Sequence, residues 1–547
     1  MLPKIEEFNV SKKQTLVVLF ILYLFTLGVR IFWLSQKNDI HIDEALSVQL
    51  TCRNDWNYES NRGYTGKEAK EIGMLCHNNA LNDIHHLWQD NRDPPHTNLY
   101  YSFFRLSLIG LNSVDIQQIV LRGCILNLLF FTISFIFFFL LTRQLFPKSP
   151  FLQLTATACA FLSAATISNS LFLRPYQIQE TSFIVFCYYF FKTLDMEKYI
   201  FHSGKAYANI KLIVLMSLVT SFALLTGYFS IIFVGLFGLY AIYQDKKKRG
   251  KEILFYAIVL FLAVLFSQTF YLKYLYGYFS VRATETGHAL TDHLFFQNTI
   301  FMNMYASLIF AVVLALKHFF TYPIIVTYAF CLSLIIIYRK KNILLQKHAL
   351  YIFTASIAYI IIVLFLVPWR MLRYIMPVFP FFILLPASIL YSIEKRKITA
   401  ITMSLLCIFF VQGALEKSKI EYLVSPRPLH FSEEPASPVF IFNKTPWKYA
   451  DLAPQFNDLQ MYYFNKPDNV NLDDNKEAYL VVERTPETLK TVKLPNVEIG
   501  KNFSSWFFVE AKIRPLKNNG SSDSKGSDQA PAPTPKDARL PCVSLQR

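Results

Sequence analysis

The run TLVVLFILYLFTLGVRIFWL at residues 15–34, followed after a short gap by HIDEA at 41–45, decides the fold class. An apolar run of this length makes a helix of about 30 Å, the thickness of a bilayer's hydrocarbon. Lys12 and Lys13 precede it and no small-residue cleavage pattern follows, so it reads as a retained anchor with the N-terminus on the cytoplasmic side. Asp43 and Glu44 then emerge just outside the membrane. Carboxylates are costly to hold there unless they have a task.

The pattern repeats along the chain. Of 547 residues, 53% are hydrophobic and only 17% charged, and the apolar ones fall in blocks of about 18 or more between charged punctuation. Blocks at 15–34, 116–141, 151–168, 177–194, 210–227, 228–243, 252–275, 320–338, 349–367, 372–391 and 399–415 predict an all-α polytopic membrane protein of about eleven transmembrane helices. With each block crossing once, the basic loops at 143–148, 192–211, 246–251, 339–347 and 395–397 all fall inside, as the positive-inside bias requires. Residues 297–318 are also apolar, but a crossing there would put Arg339, Lys340 and Lys341 outside, so they read as an interfacial or re-entrant segment. The net charge of +16 is accounted for by these loops, which argues against nucleic acid as a partner.

Three segments fall on the outer side: 36–97, 276–298 and everything after about 416. The last is long enough for a small extracytoplasmic α/β domain with its own core over 416–516, beyond the membrane domain of 1–415. Strands are expected at 438–442, 478–482 and 506–509, and helices at 449–459 and 486–492. Residues 517–547 turn to Gly, Ser, Asp, Pro and Ala without apolar periodicity and are expected to be disordered.

The outer loop carries the densest chemistry: His41, Asp43, Glu44, Asp93 and His96. Neighbouring side chains on a helix point about 100° apart, so Asp43 and Glu44 cannot face one pocket alike; one is a working carboxylate and the other a structural partner. The alternative is a solvated pair capping a helix that begins at Ala45. DPPHTNLYY at 93–101 stops one helix and starts an amphipathic one along the membrane surface. Cys52 and Cys76 share the loop and either form a disulfide there or stay as thiols, whereas Cys124, Cys159, Cys187, Cys331 and Cys407 sit within spans as small hydrophobes.

HIDEA after the first span, DPPHTNLYY before the second, LRPY at 173–176 and RMLRYIMPVFP at 370–380 together resemble the GT-C membrane glycosyltransferases, in particular the protein O-mannosyltransferase and lipid A aminoarabinose transferase group. That resemblance covers roughly residues 10–415. It implies transfer of a sugar, with inversion, from a polyprenyl-phosphate donor to an acceptor hydroxyl or phosphate. The acceptor would be a glycan, lipid or protein on the periplasmic or extracellular face of a bacterial inner membrane. Asp43 matches the first position of the group's acidic pair and is the implied base, with Glu44 in reserve. A departing phosphate needs cationic partners. Arg174, Arg370 and Arg373 are the candidates, with Arg92 and Arg282 behind them, and three-residue spacing would let Arg370 and Arg373 share one helical face. Tyr176, Gln177, Tyr374, Asp93 and His96 are candidate pocket residues. A divalent metal ion is the one cofactor held open, on Glu44, Asp93 and His96, although their irregular spacing is a poor ligand signature. Two departures stand out: Gly227-Tyr228 replaces a common His-Tyr pair, and Asp-Pro-Pro replaces His-Pro-Pro. The competing readings are an O-antigen ligase or polymerase, which would place its large outer loop late, and a flippase or transporter. A transporter would carry charge within its spans and internal repeats, and here the charges are expected in the outer loops.

Overall fold

In the computed structural model the described residues run from 12 to 515, with interruptions at 60–61, 77–78, 90–96, 204–205, 245–250, 278, 280–283, 285–286, 288–299, 338–345, 368–369, 394, 424–430, 432–433, 435, 444–445, 465–476, 485–496 and 505–506. The expected tail at 517–547 and the helix at 486–492 lie outside them.

Each block expected to cross the membrane coincides with helix. α1 is Lys12–Leu34. Outer-loop helices α2 (Ile42–Cys52), α3 (Gly66–Met74), α4 (Ala80–Gln89) and α5 (Leu99–Ser107) follow. Then come α6 (Ile116–Leu145), α7 (Pro150–Phe161), α8 (Ala164–Leu171), α9 (Tyr176–Ser203), α10 (Ala206–Leu224), α11 (Ser230–Gln244) and α12 (Lys251–Phe270). α13 (Ile300–His318), α14 (Tyr322–Ile337), α15 (Lys347–Leu366), α16 (Leu384–Ile393) and α17 (Arg396–Ala414) complete the bundle. Among the described residues six helices are long and apolar enough to span a bilayer, and up to eight if two bent pairs count as one span each. α7 and α8 form one such pair, bent by 56°, and Met304–His318 with Tyr322–Ile337 the other, bent by 112°. Outward faces carry bare apolar side chains: Phe20 is 59% exposed, Phe261 64% and Ile336 75%. Water would not tolerate so much apolar surface, whereas lipid tails match it.

The block at 372–391 departs from a regular helix. Pro377 and Pro380 lack amide donors, and Met376–Ile383 winds as a 3-10 helix before α16 begins. Its side chains are buried among α7, α8 and α9, where one apolar core runs from Val29 and Trp33 through Phe131, Phe135, Phe183 and Phe233 to Phe381.

Beyond the bundle lies a six-stranded sheet in the order β1-β3-β2-β4-β6-β5, with β1 Gly63–Thr65, β2 Val439–Phe442, β3 Met461–Tyr463, β4 Ala478–Glu483, β5 Val497–Ser504 and β6 Phe508–Pro515. β2 runs parallel to β3 and β4 and is buried on both faces, as parallel strands are. Strands were anticipated near β2, β4 and β6; β1, β3 and β5 were not. The expected helix over 449–459 stops at Leu452, because Pro454 has no amide to continue it and 3-10 turns follow. β1 belongs to the outer loop and pairs antiparallel with β3, Tyr64 opposite Tyr462. One apolar cluster joins Trp56, Tyr64 and Tyr100 of the loop to Tyr449, Phe456 and Tyr462 of the C-terminal segment. One face of the sheet therefore shares its core with the outer loop, while Phe440, Phe442, Leu480, Val482 and Ile513 form a cluster of the segment's own on the other.

Candidate active site

α2 begins one residue after His41, not at Ala45. His41 is the N-cap, its Nδ1 accepting from the Asp43 amide at 3.2 Å, and Glu44 closes the capping box by accepting from the His41 amide at 2.7 Å. The two carboxylates share this first turn but leave it in different directions.

Glu44 is fully buried, and both of its oxygens are engaged by the surrounding chain. One of its oxygens accepts from Lys37 Nζ at 2.9 Å, and the other from the Leu173 amide at 2.9 Å. Lys37 also donates to the Tyr422 carbonyl. With a cation and two amides already on it, Glu44 does not fit a metal-ligand role. Among the described residues no group of three or more His, Cys, Asp or Glu is arranged to hold a metal ion.

Asp43 meets cations that arrive from remote parts of the chain. Arg174, 131 residues on, places Nη2 3.4 Å from Oδ1, while Arg373, 330 residues on, donates through Nη1 to Oδ2. Arg174 Nη1 also donates to the Tyr101 hydroxyl at 2.9 Å and to Ser47 Oγ at 3.3 Å. Arg373 lies over the Tyr374 ring at 5.2 Å, and Tyr374 meets Tyr176 edge to face at 6.1 Å. His41 Nδ1 comes within 3.3 Å of Asp43 Oδ2. Burial, seconded by Arg373 and Lys37 and opposed by Glu44, pushes the His41 imidazole down to about 4, so it is neutral near pH 7. Its Nδ1 already accepts from an amide, which makes the approach to Asp43 a contact and not an ion pair.

The other candidates sort differently. Arg370 does not join Arg373: Met371 between them is extended (φ −117°, ψ 147°) and the 3-10 turn starts only at Leu372, so the assumed helical face is absent. Arg370 instead donates to Ser307 Oγ at 3.4 Å and lies over Phe310 of α13. Gln177 is buried, its side-chain amide engaged by Ser170 and Glu180 at 3.0 Å each. Arg92, Asp93, His96 and Arg282 lie outside the described residues. Cys52 and Cys76 form a disulfide that ties the end of α2 to the end of α3.

Sequence reasoning missed Lys37, Ser47 and Tyr101 around the acidic pair. Only Tyr101 had a signal, as the last residue of the DPPHTNLYY motif. It also placed all charges in the loops, whereas Arg30 of α1 and Glu180 of α9 are fully buried inside the bundle.

The fold, a bundle of long apolar helices with a six-stranded sheet beside it, has counterparts among solved structures. ArnT from Cupriavidus metallidurans in the apo state is similar over 92% of this chain and 98% of its own, with a TM-score of 0.50 at 13% identity. The same protein bound to undecaprenyl phosphate aligns over the same shares at a TM-score of 0.48 and 12% identity. The Archaeoglobus fulgidus oligosaccharyltransferase in its apo form covers 86% of this chain and 70% of that one, at a TM-score of 0.46 and 12% identity. No protein-family model and no curated relative matches the sequence. At such identities the likeness to ArnT defines the shared fold.

Proposed function

We propose that this protein transfers a sugar from a polyprenyl-phosphate-linked donor to an acceptor on the outer face of the membrane, inverting the anomeric carbon, with Asp43 as the base. The observation that carries this reading is the pairing of Asp43 with Arg174 and Arg373. Two guanidiniums converging on one buried carboxylate carry more positive charge than Asp43 alone neutralises. A phosphate of the donor is the natural second anion. As it enters, the arginines turn toward it, and the carboxylate they release becomes free to take a proton.

The acceptor hydroxyl gives its proton to Asp43 as its oxygen bonds to the anomeric carbon. The bond from that carbon to the phosphate oxygen breaks, and the polyprenyl phosphate leaves with its charge held by Arg174 and Arg373. The lipid tail of such a donor requires a catalytic centre at the membrane boundary, and α2 follows directly on α1, a helix long and apolar enough to span a bilayer. The likeness in fold to ArnT, whose structures include one bound to undecaprenyl phosphate, supports the same donor class. A bacterial inner membrane, with the site on the periplasmic or extracellular face, is the compartment that goes with this reading.

The test is sugar release from a radiolabelled mixture of polyprenyl-phosphate sugars by the purified full chain. Wild type should transfer or hydrolyse sugar, and Asp43→Asn should lose about two to four orders of magnitude, the usual contribution of a general base. Normal turnover by Asp43→Asn would remove the base assignment, and no consumption of any donor would remove the reaction class.

A further inference from the structure

Arg174 stands on a short bend, residues 172–175, between α8 and α9, and its place opposite Asp43 depends on how that bend is held. Above, the Leu173 amide donates to Glu44. On one flank Asn127 Nδ2 donates to the carbonyls of Ser170 and Phe172 at 3.2 and 2.8 Å. Beneath lies a cluster that the transfer step does not use. Glu180, fully buried, accepts from Asn169 Nδ2 at 3.0 Å through one oxygen and from Gln177 Nε2 at 3.0 Å through the other. Asn169 Nδ2 also donates to the Tyr176 carbonyl at 3.2 Å. Ser170 Oγ lies 3.0 Å from Gln177 Oε1 and accepts from Arg30 Nε at 2.9 Å. Arg30 is anchored by the Thr26 carbonyl and lies 3.9 Å over the Phe131 ring.

These contacts cross-link the two stalks of the hairpin, with Asn169 and Ser170 on α8 and Gln177 and Glu180 on α9. A carboxylate is costly inside a membrane, and one spent on two side-chain amides does nothing for catalysis directly. What it does is fix the separation and twist of the stalks that carry Arg174. We propose that Glu180 is a positioning residue, which through Asn169 and Gln177 clamps α8 to α9 and so sets where Arg174 meets the donor phosphate. The inference rests on the donor-phosphate reading of Arg174 given above.

The experiment measures binding of undecaprenyl phosphate to the purified full chain for wild type, Arg174→Ala, Glu180→Leu and the double variant. Glu180→Leu should raise Kd about tenfold, the size of one displaced charge-assisted hydrogen bond. In the Arg174→Ala background the same change should add less than about twofold, because effects that act through one shared group are not additive. Glu180→Gln should rescue most of the loss: its oxygen still accepts from Asn169, and Gln177 can turn its amide to accept from the new donor while Ser170 Oγ accepts in turn. Where Glu180→Leu does not assemble, Asn169→Ala removes the α8 side of the clamp and carries the same comparison. An equal loss in both backgrounds, no loss at all, or a Glu180→Gln as defective as Glu180→Leu overturns the clamp and leaves the transferase reading standing. An Arg174→Ala that binds like wild type overturns the phosphate reading and the clamp with it.

Discussion

Arg370 and Arg373 look interchangeable in a string of letters and part company in three dimensions. The three-residue spacing invited a shared helical face, but the extended backbone at Met371 sends Arg373 to Asp43 and Arg370 to Ser307. Arg373→Ala should therefore weaken donor binding by about tenfold or more, as loss of a charged hydrogen-bond partner does, and Arg370→Ala by much less. Titration of undecaprenyl phosphate against both variants checks the difference, and equal losses would restore the shared grip. His41 supplies a second prediction. Its folded value of about 4 lies below that of the free side chain, so between pH 6.5 and 4 the unfolded chain takes up a proton that the folded site refuses. The His41 contribution to stability therefore falls on acidification through that window. Asp451, pushed up to about 6 by burial, acts in the opposite sense, since the folded protein protonates first. His41→Asn keeps a capping oxygen and removes the acid-sensitive group. The drop in thermal midpoint from pH 7 to pH 5 should be smaller in this variant than in wild type. At this scale the divergence of Asp43 and Glu44 toward different partners was legible, because adjacent helical positions point apart. The partners were not, since no local pattern announces a contact 131 or 330 residues away.

Elements were legible to the extent that the solvent dictates them. Lipid imposes length and apolarity on a spanning helix, so the blocks of hydropathy found the helices of the bundle. What hydropathy does not encode is where a helix bends, as at the break between α7 and α8, or which polar residue is spent inside. Glu180 and Arg30 escaped notice because a lone charge barely lowers the mean hydropathy of a long block, while its partners are distant in the chain. The short link from α1 to α2 is a further case: Glu44 gathers Lys37, the N-cap and the Arg174 bend at one point. Removing one member of a buried ion pair leaves the other charge uncompensated, at a cost of about 3–5 kcal/mol. Lys37→Met should accordingly lower stability by that order, while Lys37→Met with Glu44→Leu should recover much of it. Thermal unfolding of the detergent-solubilised single and double variants measures the coupling. An unaltered midpoint in Lys37→Met would mean that the pair is not holding the turn.

At the scale of the molecule, β1 and the apolar cluster around Tyr64 and Tyr462 join the loop and the C-terminal sheet in one layer, while the sheet keeps a second cluster of its own on its other face. Strand pairing is non-local, and a three-residue strand such as β1 has no periodicity to read, so nothing in the loop's sequence announced that it completes the sheet. The joint is close: the Gly66 amide donates to the Gln460 carbonyl at 2.9 Å, and a Cβ at Gly66 would stand 2.0 Å from the Asn457 carbonyl oxygen. A side chain there must push the loop off the domain. Tyr58 also stacks on Phe464 at 3.6 Å, adding aromatic surface to the same contact. Because the disulfide joins α3 to α2, a loop detached at β1 pulls on the helix that carries Asp43. Gly66→Val should therefore reduce sugar transfer and expose the 53–89 segment to protease while the bundle stays resistant. Truncation after residue 415 should do the same more severely. Activity assays beside limited proteolysis separate the outcomes. A Gly66→Val protein that is cleaved in the loop yet transfers sugar at the wild-type rate would mean that the sheet only shelters the site. Loss of both together would mean that the sheet holds α2 in place, and that the outer layer belongs to the catalytic apparatus.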